Sequence, residues 1–258
     1  MSTAWHADGW DARLRIGVLV PAGDVGPESE LQAMAPQGVR IHAARVPFGA
    51  QRPGGGMDPT IPLAPVQAFA EPPRVDDAAE LLATAPIHVI AYGFTSSAYV
   101  IGPAGEAAMI ARLEERTRGI PVVAPSVATV EALALFGARR VALMTPPWFD
   151  GELTGLGRRF YEDAGLEVVM AEPCGLPSDQ TAIRPDEQAA WALARVPDAA
   201  QALVIAGNGF RAVGAIQALE AALGWPVITA NQVLLWAALR AAGADTRKVS
   251  GYGRLFSL

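Results

Sequence analysis

The sequence predicts an α/β fold of two pseudo-symmetric lobes, each a mainly parallel sheet flanked by helices. Short apolar segments alternate with helical patterns of ten or more residues, which is the arrangement found in parallel α/β proteins. The segments of the first half also recur in the second half in the same order. A chain of 258 residues, of which 51% are hydrophobic, is long enough to bury the core of two such lobes.

Four segments of the first half are predicted strands, because they are short and nearly continuous in apolar residues. They cover residues 15–21, 39–46, 88–93 and 120–125. The helical patterns between and after them cover residues 30–35, 75–85, 105–118 and 127–136. Ser126 is expected to cap the last of these helices, since serine accepts hydrogen bonds well at that position.

Residues 47–73 form a long, irregular segment that is rich in proline and glycine. Segments of this length are uncommon inside a compact chain unless they have a function. The segment is interpreted either as a flap over a functional site or as a plain excursion on the surface.

The internal repeat sets out the domain organisation. The matching segments are residues 15–21 with 140–146, 89–94 with 204–210, and 120–126 with 225–231. We therefore expect an N-terminal arm at residues 1–13, a first lobe at 14–137 that includes part of the C-terminus, and a second lobe at 138–258. Parallel sheets bind ligands beyond the carboxyl ends of their strands, so the site is expected in the cleft between the lobes.

Charge and hydropathy exclude several classes of partner. The net charge is −6 and no cluster of lysine or arginine occurs, so nucleic acid is not an expected partner. No apolar run reaches the length of a membrane span, and no basic region precedes an apolar segment at the N-terminus. A cytoplasmic protein without a membrane partner is the simplest expectation, and a homo-oligomer is left open.

The sequence gives no indication of a metal or a cofactor. A single cysteine, Cys174, excludes an internal disulfide and a cysteine-based metal cluster. Its thiol is either catalytic or, as is more common, belongs to a small residue in a turn. There is no His-x-x-x-His pattern or acidic cluster for a metal. No Gly-x-Gly-x-x-Gly follows the first strand, and no Walker sequence occurs, so a nucleotide cofactor is not expected either.

Four loops at predicted strand ends are expected to meet in the cleft. They cover residues 21–25, 93–97, 145–149 and 207–211. The second loop carries three consecutive hydroxyl residues: Thr95, Ser96 and Ser97. Hydroxyl and N–H donors at the start of a helix suit a carboxylate, although such residues also serve simply as helix caps. In the fourth loop, Gly207, Asn208 and Gly209 either let bare backbone approach a ligand closely or form a plain tight turn.

Two further side chains are candidates for proton transfer. Asp24, in the first loop, is either a general base or ligand-binding group, or a residue that hydrogen-bonds its own turn. Tyr92, at the end of the predicted strand before Thr95, is either a donor near the loop or a core aromatic.

Over residues 14–256 the chain resembles the arylmalonate decarboxylase and maleate isomerase group of the Asp/Glu racemase superfamily. The matching stretches are residues 17–21 with Glu28, 92–97, 121–126, 205–211 and 251–256. The resemblance implies a two-lobed fold, no cofactor and a small carboxylate held between the lobes. It also implies that Thr95, Ser96 and Ser126 hold that carboxylate.

The chain departs from this family at the residues that carry its chemistry. Racemases and isomerases of the family place one cysteine in each symmetric loop, and the decarboxylase keeps only the second. Phe94 and Gly207 stand at these two positions here. Pro147 replaces a family tyrosine, and Asp24 replaces an asparagine. A thiol mechanism is therefore not expected at either position.

We expect a cofactor-independent enzyme that acts on a small carboxylic acid through an enolate-like intermediate, as a decarboxylase, isomerase or racemase. Asp24, Tyr92 and Ser96 are the expected catalytic residues. The substrate is expected to contact Pro21, Phe94, Thr95, Ser96, Ser97, Ser126, Gly207, Asn208 and Gly209. The alternatives are an Asp24-based lyase or hydratase on the same scaffold, and a carboxylate-binding protein without catalysis.

Overall fold

The structure is a computed structural model that describes residues 8–52, 54 and 58–258. In these residues, two separate parallel sheets form, each of four strands. The first contains β1 (Leu14–Pro21), β2 (Val39–Val46), β3 (Val89–Tyr92) and β4 (Val122–Val123). The second contains β5 (Arg140–Thr145), β6 (Glu167–Pro173), β7 (Ala202–Ile205) and β8 (Val227–Thr229).

The two sheets have the same topology. Their strand orders are β2-β1-β3-β4 and β6-β5-β7-β8, so each strand of the first sheet has an equivalent four strands later. The long strands β1 and β5 pair on both sides and are almost fully buried, as expected for central strands of parallel sheets. The predicted fold of two pseudo-symmetric α/β lobes is confirmed. The residue boundaries of the lobes stay a prediction.

Nine α-helices of the described residues flank the sheets. They are α1 (Gly26–Met34), α2 (Leu63–Ala70), α3 (Arg74–Leu82), α4 (Thr95–Arg116), α5 (Pro125–Phe136), α6 (Gly151–Asp163), α7 (Pro185–Arg195), α8 (Ile216–Leu223) and α9 (Ala230–Ala241). Short 3-10 turns lie at Val213–Ala215, Thr246–Lys248 and Arg254–Ser257. None of these helices is long and apolar enough to cross a membrane.

Helix α9 connects the two halves of the molecule. It follows β8, the last strand of the second sheet, and its twelve residues are mostly buried. It packs against α5, and it also contacts α1, β3 and β4 of the first half. The C-terminal part of the chain therefore closes the core of both halves and fixes the loops at the strand ends relative to one another.

Two helices begin earlier than the sequence patterns predict. Helix α1 starts at Gly26 rather than at Glu30. Helix α4 starts at Thr95, ten residues before the predicted start, because two helical segments join across a break at Gly102, where φ is 70°. Pro103 restarts the helix after this break, and the interrupted pattern concealed the first segment.

Two other predictions about helices are wrong. The predicted irregular segment 47–73 contains α2, which starts after Pro62 and keeps Pro65 in its first turn, where proline is tolerated. Ser126 does not cap α5, because the helix begins one residue earlier at Pro125 and its N-cap is Ala124. Proline is favoured at the first helical position, so it sets the helix start there.

Candidate functional site

A small cavity lies where the carboxyl ends of β1, β3, β5 and β7 face one another. Its volume is about 20 Å³, which is room for about one water molecule. It is lined by Pro21, Asp24, Phe48, Ile61, Phe94, Thr95, Ser96, Trp148, Phe149, Gly207, Asn208 and Gly209. Loops from both halves of the chain therefore contribute to a single cavity.

Eight of the residues expected from the sequence to form the site line this cavity. They are Pro21, Asp24, Phe94, Thr95, Ser96, Gly207, Asn208 and Gly209. Tyr92, Ser97 and Ser126 are fully buried behind it. The structure thus brings most of the candidate residues together, and their roles in binding or catalysis stay predictions.

The donors of Thr95 are already occupied. Thr95 is the first residue of α4, where backbone N–H groups lack partners within the helix. Its N–H and its hydroxyl both donate to Oδ1 of Asn208, at 2.8 Å and 2.6 Å. An amide oxygen from the second half of the chain therefore lies where the sequence led us to expect a ligand carboxylate.

Of the two other hydroxyl residues in this loop, only Ser96 faces the cavity. Its hydroxyl has no hydrogen-bond partner among the described residues, which leaves it available to a ligand. Ser97 instead donates to the carbonyl of Phe94 at 3.1 Å and lies 2.8 Å from the Tyr92 hydroxyl. Burial raises the pKa of Tyr92 well above its usual range. Tyr92 and Ser97 therefore form a neutral polar pair that supports the loop from behind.

Ser126 supports the same loop from another side. Its hydroxyl, which is fully buried, lies 3.5 Å from the carbonyl oxygen of Thr95 and donates to it. The interaction is long and weak, and it acts on the backbone of Thr95 rather than on the cavity.

Among the described residues that line the cavity, Asp24 is the one with an acidic side chain. Only 3% of its surface is exposed. Burial raises its pKa from 3.8 to about 6, against the opposing effects of the Gly26 N–H, the Arg45 charge and the Gln180 amide. Its Oδ1 accepts the Gly26 N–H at 2.8 Å, which closes its own turn. The guanidinium of Arg45 donates to its backbone carbonyl and pairs with Glu28 at 2.6 Å. Asp24 is thus both a turn residue and a carboxyl that titrates near neutral pH.

A buried polar network extends from the cavity across the two halves. The Asn208 amide donates to Oδ1 of Asn231 at 2.7 Å, and Nδ2 of Asn231 donates to the Asn208 carbonyl and to Oε2 of Glu30, both at 2.8 Å. Oε1 of Glu30 accepts the N–H groups of Ala212 and Val213 at 2.7 Å and 3.0 Å. The network therefore fixes Asn208 against Thr95 from α1 and α9.

Sequence reasoning missed Glu30 and Asn231. The internal repeat contained a usable signal for Asn231, since it occupies the position equivalent to Ser126. Ser126 and Asn231 each donate to a backbone carbonyl of the polar loop in their own half of the chain. No comparable pattern marks Glu30.

The apolar wall of the cavity was also missed in part. Phe48 and Ile61 come from the segment 47–73, which supports its interpretation as a flap over the site. The Ile61 N–H donates to the carbonyl of Trp148 at 3.0 Å and so joins the flap to the second half. Phe94 packs against Phe48, with ring centroids 4.9 Å apart, and against Phe69 at 4.1 Å. Phe48 and Phe94 therefore form an aromatic wall on one side of the cavity.

No thiol lines this cavity among the described residues. Cys174 follows β6, is buried, and donates its backbone N–H to the Thr145 carbonyl at 2.8 Å. Burial raises the pKa of its thiol to about 11, so it is a poor thiolate nucleophile at neutral pH. The described residues also contain no group of three histidine, cysteine or acidic side chains that is suited to a metal ion.

The fold and the paired loops define an α/β protein of the Asp/Glu racemase-like class, with two parallel sheets around one cleft. The sequence model described as "Amdase: Arylmalonate decarboxylase" matches residues 67–256. The chain belongs to the arylmalonate decarboxylase family.

Individual relatives agree with this assignment. Arylmalonate decarboxylase from Bordetella bronchiseptica is 29% identical over 167 residues, which cover 63% of this chain and 68% of the relative. Maleate isomerase from Pseudomonas putida is 26% identical over 250 residues, which cover 94% and 97% of the two chains. The maleate isomerase Iso from Pseudomonas putida S16, solved with maleate, superposes with a TM-score of 0.82 at 24% identity and covers 95% of this chain and 97% of its own.

Proposed function

We propose that this protein is a cofactor-independent enzyme that acts on a small carboxylic acid through an enolate-like intermediate. The observation that carries the proposal is that a carboxyl with a pKa of about 6, Asp24, and a free hydroxyl, Ser96, line one water-poor cavity at the start of α4. A group that titrates near neutral pH is suited to proton transfer. The names of the relatives, arylmalonate decarboxylase and maleate isomerase, support an acid as substrate.

In proton exchange, ionised Asp24 removes the proton from the carbon next to the substrate carboxyl group. The electron pair of the broken C–H bond moves onto the carboxyl oxygens and forms an enediolate. The Ser96 hydroxyl and the positive end of the α4 dipole stabilise this charge, because both are in place before the reaction. Asp24 then returns a proton to the same carbon.

In decarboxylation, protonated Asp24 acts as the acid. The bond between the α-carbon and one carboxyl group breaks, and CO2 leaves. The electron pair stays behind as an enediolate on the same donors. The α-carbon then takes the Asp24 proton, and solvent protonates Asp24 again. The two reactions require opposite protonation states of Asp24, which makes them distinguishable.

The absence of a thiol from the cavity lining supports Asp24 as the proton-transferring group. Phe94 and Gly207, which stand at the two family cysteine positions, both line the cavity, and neither has an ionisable side chain. Tyr92 is less suited, since burial holds its pKa far above neutral and its hydroxyl is bonded to Ser97.

The test is incubation of the protein in D2O with substituted malonates, maleate and 2-hydroxy acids, followed by proton NMR. We expect loss of the α-proton signal or of CO2 from at least one acid, and none with Asp24→Asn. Asp186→Asn is the matched control, since Asp186 is exposed in α7 and does not line the cavity. The same spectra detect addition or loss of water, as an Asp24-based hydratase would give. The absence of turnover or exchange with every acid would refute the proposal.

A second candidate, a carboxylate-binding protein without catalysis, is supported by a different observation. The cavity contains no thiol, and the Thr95 donors are filled by Asn208. This candidate gains support if an acid raises the melting temperature of the protein while NMR detects neither product nor exchange.

A further inference from the structure

Asn208 uses its side-chain oxygen, its side-chain amide nitrogen and its backbone carbonyl in hydrogen bonds within the protein. Its Oδ1 accepts two hydrogen bonds from Thr95, its amide nitrogen donates to Asn231, and its backbone carbonyl accepts from Asn231. The orientation of the amide is unambiguous, because the backbone N–H of Thr95 can only donate and therefore must face an oxygen. Only 3% of the residue is exposed.

The Asn208 oxygen resembles a bound ligand in its chemistry. Two donors of one residue at the start of a helix converge on a single sp² oxygen with partial negative charge. A carboxylate oxygen would make the same two hydrogen bonds. The remaining cavity of about 20 Å³ is too small for a carboxyl group together with an α-carbon, so a substrate has to displace this amide.

A neutral ligand and an anionic ligand differ in their ability to displace the Asn208 amide from Thr95. A neutral carbonyl would replace one amide oxygen by another and gain nothing at Thr95. An anionic oxygen forms charge-assisted hydrogen bonds, which are roughly twice as strong as neutral ones. After the cost of displacing the Asn208 amide, the net free energy of binding is therefore more favourable for an anionic oxygen than for a neutral one.

We propose that Asn208 is an internal amide ligand of Thr95 that a ligand oxygen has to displace, so that anionic oxygens still bind there while neutral carbonyl compounds of the same size bind only weakly. The inference deepens the proposed function, since it concerns the recognition of the acid at the same site. Asn231 and Glu30 are positioning residues in this scheme, because they fix the amide plane of Asn208 without contacting the cavity.

The test compares acetate with acetamide, which reproduces the side chain of asparagine beyond its α-carbon. Binding to the full-length protein is measured by NMR titration at pH 5.5, below the pKa of about 6 for Asp24, so that its charge does not dominate. For the wild type we expect acetate to bind at least about tenfold more tightly than acetamide. Asn208→Gly empties the position, so acetamide should bind at least about tenfold more tightly to it than to the wild type.

Gln188→Ala is the matched control for loss of a buried amide near this loop. Gln188 is fully buried and donates to the carbonyl of Arg211 at 3.0 Å, but it does not line the cavity. We expect this variant to keep the wild-type affinity for acetamide. If Asn208→Gly also keeps that affinity, Asn208 only joins the two halves and the proposal is wrong.

Asn208→Asp provides a second measurement if the glycine variant does not fold. It keeps an acceptor in the same place and adds a full charge, so acetate should bind at least about tenfold more weakly than to the wild type. Unchanged or tighter acetate binding to it would overturn the proposal. The outcome is separable from the proposed function, because turnover by the wild type with an unchanged acetamide affinity in Asn208→Gly rejects only the role of Asn208. A raised acetamide affinity in that variant without turnover by any variant rejects only the enzyme.

Discussion

A β-carbon on Gly207 would overlap Cγ of Pro146 and lie 3.0 Å from its Cδ. Gly207 also has a φ of 88°, a backbone conformation that side chains of L-residues rarely adopt. The rigid proline ring cannot move aside as a long side chain would. The position at which the family resemblance implies a cysteine therefore has no room for a thiol side chain here.

The first prediction follows from this relationship. We expect Gly207→Cys to lower the free energy of unfolding by about 3 kcal/mol or more, from backbone strain together with overpacking. It should not create thiol-dependent turnover. Gly137→Cys is the control, because Gly137 also has a positive φ of 67° but open space around its β-carbon. Urea unfolding should show the larger loss at position 207, and equal losses would mean that Pro146 is not the obstacle.

The contribution of Asp24 to the free energy of unfolding should fall as the pH rises. Its pKa is raised by burial from 3.8 to about 6, so the folded state favours the protonated form. The stabilisation is complete below pH 3.8 and is lost as the pH rises through about 6, by roughly 3 kcal/mol in total. Relative to the wild type, Asp24→Asn should therefore gain stability between pH 4 and pH 8.

Asp186 provides a control without a trend for this prediction. Its pKa is lowered below the ordinary value of 3.8 by the Arg184 side chain, so its stabilisation is fully present above that pH and is lost only as the pH falls further. The difference between the wild type and Asp186→Asn should therefore stay nearly constant between pH 5 and pH 8. Urea unfolding of the three proteins at several pH values measures both slopes. A flat difference between the wild type and Asp24→Asn would show that Asp24 titrates normally.

The pH dependence of turnover distinguishes the two proposed reactions. Proton exchange requires ionised Asp24, so kcat/KM should rise with pH and level off above about 6. Decarboxylation requires the protonated acid, so kcat/KM should instead fall above about pH 6. Initial rates by NMR between pH 4.5 and 8.5 decide between them. A profile without any transition near pH 6 would argue against Asp24 in both roles.

Substitution of Ser96 should lower the rate of catalysis, whereas substitution of Ser97 should lower the stability of the protein. Ser96→Ala removes the free hydroxyl of the cavity and should lower kcat about 100-fold with little change in stability. Ser97→Ala leaves buried Tyr92 without its partner and should cost about 1–3 kcal/mol of unfolding free energy. Steady-state kinetics and thermal unfolding of both variants give the comparison. The reverse assignment of effects would show that Ser97, and not Ser96, serves the ligand.

Local patterns predicted most of the fold. The apolar segments and their repetition were sufficient for two parallel sheets of the same order, because each strand is short, continuous and bounded by turn residues. The first segment of α4 was missed, since Gly102 and Pro103 interrupt the helical pattern that neighbouring turns would continue. Helix α2 was missed because the proline and glycine around it masked an eight-residue apolar helix.

The site was predictable only where it lies at strand ends. Thr95 and Asn208 are in such loops, but no pattern reveals that they bond to each other across 113 positions. Glu30 is separated from Ala212 by 182 positions and acts through the fold alone. The closing of the cavity by Phe48 and Ile61 likewise depends on how the flap packs.

The volume of the cavity should be set by Phe94, which stands at the position of the other family cysteine. Phe94 packs on Phe48 and Phe69, and Phe94→Ala should cost about 3–5 kcal/mol while opening space beside Ser96. We expect this variant to bind bulkier acids, such as phenylmalonate, more tightly relative to malonate than the wild type does. Phe160→Ala is the matched control, because Phe160 is equally buried in an aromatic cluster with Tyr99 that does not line the cavity. A similar loss of stability in both variants, with a change of size preference only at position 94, is the expected result. An unchanged preference in Phe94→Ala would mean that the flap, rather than Phe94, limits the size of the ligand.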